Sequence, residues 1–236
     1  MAALIENGEI KQIIVVTDGR SDSGISPIEA AKKAYDAGVI VSAIGIINQR
    51  DGSDEKGIGE AEEIAEAGGG LCEYSHVEDL EGTMQNITHK TARKTIEEIV
   101  SRQLKLIIGE ELQNLEPKSR IKIVDFIKKY GENINLKCIV VIDTGGRMEN
   151  KLAALKKSVE ELLGNLKARK GSSCIAVIAY AGDDTDMCSV ICNFTSEISI
   201  LSQKLELMSS GGCKDTGSAI LKAYELMYRY YETLKL

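Results

Sequence analysis

The chain has 236 residues, 43% hydrophobic and 28% charged, which is enough to bury a full core in one α/β domain. A net charge of −7 argues against a broad nucleic-acid or anionic-membrane surface, and no apolar run reaches bilayer-spanning length. With no Trp and two Phe, the core must be built mostly from Ile, Val, Leu and Ala.

Residues 12–17 form an apolar, β-branched strand that ends in Thr17-Asp18-Gly19. Ser26-Pro27 opens a helix with proline in its first turn, running through Ile28, Ala31, Ala34 and Tyr35 to Gly38. A second strand over 39–47 follows, and a right-handed crossover makes it parallel to the first. After a polar loop at 48–56, a helix near 57–67 stops at Gly68-Gly69-Gly70, and 71–74 is a third strand. Leu80, Met84, Ile87, Thr91, Ile96, Ile99, Val100 and Leu104 recur at three- and four-residue spacing, which predicts a long amphipathic helix to about Ile108. Pro117 starts another, with Ile121, Val124, Ile127 and Tyr130 on one face and Gly131 at its end.

A second apolar block begins at Lys137 with a strand ending in Ile142-Asp143-Thr144-Gly145-Gly146. A helix (Leu152, Leu155, Val159, Leu162, Leu163, Leu166) separates it from strands 174–181 and 187–194, whose short polar connection around Gly182-Asp183-Asp184 permits only an antiparallel hairpin. An amphipathic segment at 197–208 leads to the loop 209–217 and a final helix, whose Tyr224-Tyr228-Tyr231 stripe reads as a buried face. The fold class is therefore α/β: a doubly wound, mostly parallel six-stranded sheet with one antiparallel edge strand. Its predicted order is 187–194, 174–181, 138–143, 12–18, 39–47, 71–75.

The six cysteines include no C-x-x-C pair and fall mostly in strand-like runs, where a thiol packs as a small hydrophobe; Cys188 and Cys192 are expected on one strand face. The start of the chain, Met-Ala-Ala-Leu-Ile-Glu-Asn-Gly, has neither the basic residues nor the apolar core of a signal peptide, so a reduced cytosolic protein is expected.

Three motifs bear on function. Ile142-Asp143-Thr144-Gly145-Gly146-Arg147-Met148 resembles the Asp-x-Ser-x-Ser strand end of the von Willebrand factor A family. Gly211-Gly212-Cys213-Lys214-Asp215-Thr216-Gly217 resembles its Gly-Gly-x-Thr loop, and Val16-Thr17-Asp18-Gly19 its Thr-Asp-Gly strand end. The order along the chain is permuted: residues 1–79 resemble the family's C-terminal half, 137–236 its N-terminal half, and 80–136 form a helical bridge. The whole is expected to be a single permuted domain. Termini that lie close together make such a permutation tolerable. A softer similarity is to intracellular von Willebrand A proteins of spore-forming Firmicutes.

The resemblance implies a metal-ion-dependent adhesion site, in which Mg²⁺ is held by two aspartates, two serines and a threonine. Asp18, Asp143 and Thr216 match; Gly145 and Arg147 stand at the serine positions and Lys214 at the ligating threonine. The expectation is a degenerate site with no cofactor, in which Arg147 or Lys214 takes the metal's place. The chain is then a non-enzymatic adaptor that binds a protein partner through Asp18, Arg20, Asp143, Gly145, Arg147, Lys214 and Thr216, with Ser21, Asp22 and Asp183-Asp184 on the same face. Two alternatives stay open: Mg²⁺-dependent ligand binding through Asp18, Asp143 and Thr216, and a hydrolase using paired aspartates. Asp143-Thr144-Gly145 and Asp215-Thr216-Gly217 both match the aspartic-protease signature, but those enzymes are all-β. The glycine runs lack Walker or dinucleotide spacing, and the two histidines, His76 and His89, lie apart from any cysteine or carboxylate cluster.

Overall fold

The computed structural model describes residues 5–6, 8–19, 21, 24–47, 55–180, 188–211 and 215–233. Its strands are β1 (Ile5–Glu6), β2 (Glu9–Thr17), β3 (Ile40–Ile46), β4 (Gly69–Ser75), β5 (Asn135–Asp143), β6 (Ser173–Tyr180) and β7 (Cys188–Thr195). The helices are α1 (Pro27–Asp36), α2 (Glu55–Ala67), α3 (Leu80–Ile108), α4 (Pro117–Asn133), α5 (Leu152–Lys167), α6 (Ile198–Leu205) and α7 (Thr216–Thr233).

The strands lie in the order β4-β3-β2-β5-β6-β7, as the sequence predicts, with β7 alone antiparallel along this path. The two-residue β1 was not anticipated. It pairs antiparallel with Glu9 and Ile10, ahead of the point where β3 joins β2 at Gln12, and Gly8 at φ +73 lets the chain reverse. From β2 the chain winds outward through β3 and β4, then returns through α3 and α4 to β5 and winds the other way. The strand order therefore reverses between β2 and β5, which puts the carboxyl ends of those strands at the crevice where ligands bind in open α/β sheets.

Every residue of β2 after Glu9 is buried, because successive side chains feed two different cores. Ile10, Ile14 and Val16 join Leu80, Met84, Ile87, Leu155 and Val159 under α3 and α5. Ile13 and Val15 join Ala30, Ala34, Ile64, Ile220 and Met227 under α1, α2 and α7. The small alanines of α1 let it approach the sheet closely; Ser26 caps its start by accepting from Glu29 N at 3.3 Å.

Several local expectations change. Gly69 and Gly70 are not only a helix stop; they begin β4, where a Cβ on Gly70 would lie 2.2 Å from the Val41 carbonyl oxygen. A register shift in β7 pairs Cys192 with Val177 but Val190 with Ile178. The extra residue flips the alternation, so Cys188 and Cys192 serve opposite cores. In α4 only Ile127 is buried, while Ile121 is 62% exposed and Val124 and Tyr130 also face outward. That helix packs along α3, with its end held by Arg169 and Gly171, which bond to the Gly131 and Glu132 carbonyls, so a single narrow seam suffices. In α7 the buried hydrophobic residues are Ala219, Ile220, Ala223 and Met227; Tyr224 and Tyr228 are half-buried at the margin, and the Tyr231 side chain lies outside the described residues. Tyr228 donates its hydroxyl to the Ala37 carbonyl, tying α7 to the end of α1.

Two glycines test this account. Gly70→Ala is expected to lower stability by about 1–3 kcal/mol, because backbone must move to admit the methyl group. Gly82→Ala, on α3 with nothing within 4 Å of a new Cβ, is expected to raise it by roughly 0.5–1 kcal/mol. Urea unfolding of the two variants measures both.

Candidate functional site

β2 and β5 pair in register up to Val16 and Ile142, so Thr17 and Asp143 stand beside one another one position further on. Thr17 Oγ1 lies 3.1 Å from Asp143 Oδ2 and 2.9 Å from the Gly19 carbonyl oxygen. Asp143 Oδ1 accepts from Gly145 N at 2.8 Å, which turns the chain sharply after the strand. Thr144 donates both its amide and its hydroxyl to the Tyr180 carbonyl, and its own carbonyl accepts from Gly211 N at 2.8 Å. These bonds tie the turn after β5 to the end of β6 and to the segment that follows α6.

Asp18 follows β2, and its side chain has no exposed surface. A buried carboxylate is costly unless a cation meets it. That cation is Lys151, whose Nζ donates to Asp18 Oδ2 at 2.8 Å and whose side chain is only 8% exposed. Arg147 approaches the other oxygen from outside, at 3.8 Å and 59% exposed, with its guanidinium lying over Gly19. Residues 146–151 form a 3₁₀ turn leading into α5. Within it Met148 and Lys151 point inward, on the stripe that Leu152 and Leu155 continue.

Tyr180, fully buried at the end of β6, completes the cluster. Its hydroxyl lies 3.4 Å from Thr216 Oγ1, and burial and the neighbouring Asp143 push its pKa well above the ordinary phenol value. It is therefore a neutral hydroxyl at physiological pH. Thr216 is the first residue of α7, and its amide donates to Ser21 Oγ at 3.3 Å. Ser21 N in turn donates to Glu60 Oε2 of α2 at 2.7 Å. Asp215 caps α7, accepting from Ser218 N at 2.8 Å and Ser218 Oγ at 2.6 Å.

Of the residues singled out from sequence, Asp18, Asp143, Gly145, Arg147 and Thr216 all lie at this carboxyl-end face. Arg20, Asp22, Asp183, Asp184 and Lys214 lie outside the described residues. Sequence reasoning missed Lys151, Tyr180 and Glu60. Lys151 carried a signal, since Met148, Lys151, Leu152 and Leu155 follow helical spacing with a lysine on the apolar stripe. Glu60 carried none. The mixed α/β sheet does not fit the all-β aspartic-protease architecture, and Ser218 engages both oxygens of Asp215. Among the described residues, no three His, Cys, Asp or Glu side chains cluster as a metal site.

Residues 6–90 match the von Willebrand factor type A domain. Over 221 residues the chain is 31% identical to the uncharacterized protein YabS of Bacillus subtilis (strain 168), covering 93% of this chain and 89% of that one. The chain belongs to the von Willebrand factor type A family. The crystal structure of an uncharacterized protein from Alicyclobacillus acidocaldarius subsp. acidocaldarius DSM 446 superimposes with a TM-score of 0.88 at 31% identity, over 98% of this chain and 99% of that one. The directly matched stretch holds the Thr17-Asp18-Gly19 tip of this von Willebrand A fold, while the structural likeness extends through α3 and α4 into the half that carries Asp143.

The buried pair makes a measurable claim. Lys151→Met is expected to destabilise the protein by about 3–5 kcal/mol, because it takes the 2.8 Å ammonium away from a buried carboxylate, whereas the double variant Asp18→Asn/Lys151→Met recovers most of that loss. Arg147→Ala, at an exposed position, is expected to cost less than about 1 kcal/mol. Chemical denaturation of the variants and the parent decides between these values.

Proposed function

We propose that this protein is a non-enzymatic, metal-independent von Willebrand A module that binds a protein partner in the cytosol through the carboxyl-end face of its sheet. The observation that carries the reading is the Lys151–Asp18 contact at 2.8 Å. A Mg²⁺ ion requires about six oxygen ligands. Here one of the two matching carboxylates is already neutralised by an ammonium, and Gly145 and Arg147 offer no side-chain oxygen where the family has serines. A divalent cation beside Asp18 would meet repulsion from Lys151 and Arg147. The residues present do not suit the metal.

We read the fold as a circular permutation, in which 1–79 and 137–236 exchange their order and 80–136 bridge them. The sheet order, with the two aspartate-tipped strands adjacent at its centre, supports that reading. No helix among the described residues is long and apolar enough to cross a membrane. The guanidinium of Arg147 stands half-exposed above the buried pair. It offers a forked donor to an acidic side chain of the partner, where the family's usual ligand bridges through metal.

Titration with Mg²⁺ and Mn²⁺ in a calorimeter is expected to give no binding heat in the micromolar range; micromolar affinity would sink the metal-independent reading. In affinity purification from the native cell, Arg147→Glu is expected to lose a partner that the parent captures and that the distant control Arg120→Glu retains. Retention of that partner by Arg147→Glu refutes the proposed docking face.

A further inference from the structure

At the amino end of the sheet, roughly 23 Å of strand away from Asp143, a second concave site opens between α3, α4 and the segment that follows α5. Its volume is about 190 Å³. The floor is apolar and buried: Ala92 from α3, Ile127 from α4 and Leu136 from β5. The rim is cationic. Arg93, Lys128 and Arg169 line it from three different segments, against one carboxylate, Glu132. In a chain of net charge −7, that local excess of positive charge runs against the average.

The rim is partly preorganised. Arg169 Nη2 donates to the Gly131 and Ile134 carbonyls at 2.6 and 2.9 Å, and its Nη1 donates to Ser173 Oγ at 3.1 Å. These bonds hold the guanidinium in place and fix the end of α4 against the sheet. Arg93 is held by Glu97 at 2.7 Å, and Lys128 makes no ion pair among the described residues. His89 also lines the cleft, and burial together with nearby Arg169 lowers its pKa. The ring is therefore mostly neutral at pH 7 and offers one donor and one acceptor. The charged groups that surround it are Arg93 on its own helix, Lys128 and Glu132 from α4, and Arg169.

We propose that this cleft binds a small organic anion, a monocarboxylate whose apolar body is about the size of a benzene ring. The size follows from the volume, since a cavity of about 150 Å³ already admits benzene. The apolar floor would be wasted on a bare inorganic anion, and the cationic rim on a neutral hydrocarbon. The same rim repels a metal ion. This site is independent of the Asp18 face, and its failure would leave that proposal untouched.

The chain has only two histidines, so the ring protons of His89 and His76 can be followed by NMR on the full-length protein. Benzoate is the probe, with benzyl alcohol and inorganic phosphate as comparators. Saturable benzoate binding is expected, at least about tenfold tighter than either comparator, and it should raise the His89 pKa while leaving His76 unmoved, because a bound anion favours the imidazolium. Lys128→Glu, an exposed change that leaves the fold intact, should weaken benzoate by about tenfold or more. Ala92→Leu should block the floor and abolish binding. Absence of saturation up to about 10 mM benzoate overturns the proposal. Benzyl alcohol binding as tightly as benzoate removes the role of the rim, phosphate binding as tightly removes that of the floor, and an unmoved His89 places the ligand elsewhere; each overturns it.

Discussion

A carboxylate with no exposed surface sits just past the tip of β2, at the point where the strand order of the sheet reverses. A carboxylate buried there is costly unless a cation meets it, and Lys151 supplies one from the opposite half of the chain. That requirement reaches well beyond the two side chains. It demands that the chain after β5 wind into a 3₁₀ turn before α5, so that Lys151 faces the sheet rather than solvent. It also keeps Asp143 and its turn close by, through the Thr17 bond that links the ends of the two central strands. The pair thus joins residues 133 positions apart and couples the two halves of the sheet at their shared crevice.

The bridge between those halves shows a different balance. α3 has 29 residues, but its fully buried ones end at Ile96 and the partly buried Ile99 and Val100 mark the edge of the core, so the last two turns extend past it. α4 returns along them with one fully buried residue, Ile127, and leaves Ile121, Val124 and Phe126 exposed. A connection of this kind needs to span the sheet from β4 back to β5 more than it needs to add core. The amino-end cleft forms where this thin layer meets the body, and Arg169 reaches across to satisfy the carbonyls at the end of α4.

Most of the fold was legible in the sequence. The β-branched runs at 12–17, 39–47 and 138–143 declare parallel strands because both faces are covered, and the short polar connection after Tyr180 forces the antiparallel edge. The features that escaped depend on small offsets. A single inserted residue in β7 sends Cys188 and Cys192 to opposite cores, and β1 is too short to carry a periodic signal. The apolar spacing of α4 suggests a broad buried face, yet spacing cannot tell whether a second surface exists to bury it.

For the site, the sequence by itself determined that two apolar, β-branched strands each end in an aspartate followed by glycine. That is a local statement about residue type and strand position; the expectation that the two strands are neighbours, and that oxygens are missing where the family has serines, rested on the resemblance to the family. Only the tertiary structure decided which cation meets Asp18. Arg147 is close in chain position to Lys151, but the turn carries it to the rim, at 59% exposure, whereas Lys151 enters the interior. The physical reason is helical phase: a few residues of 3₁₀ winding choose which long basic side chain is desolvated, and residue types alone do not encode that rotation relative to a strand from the other half of the chain.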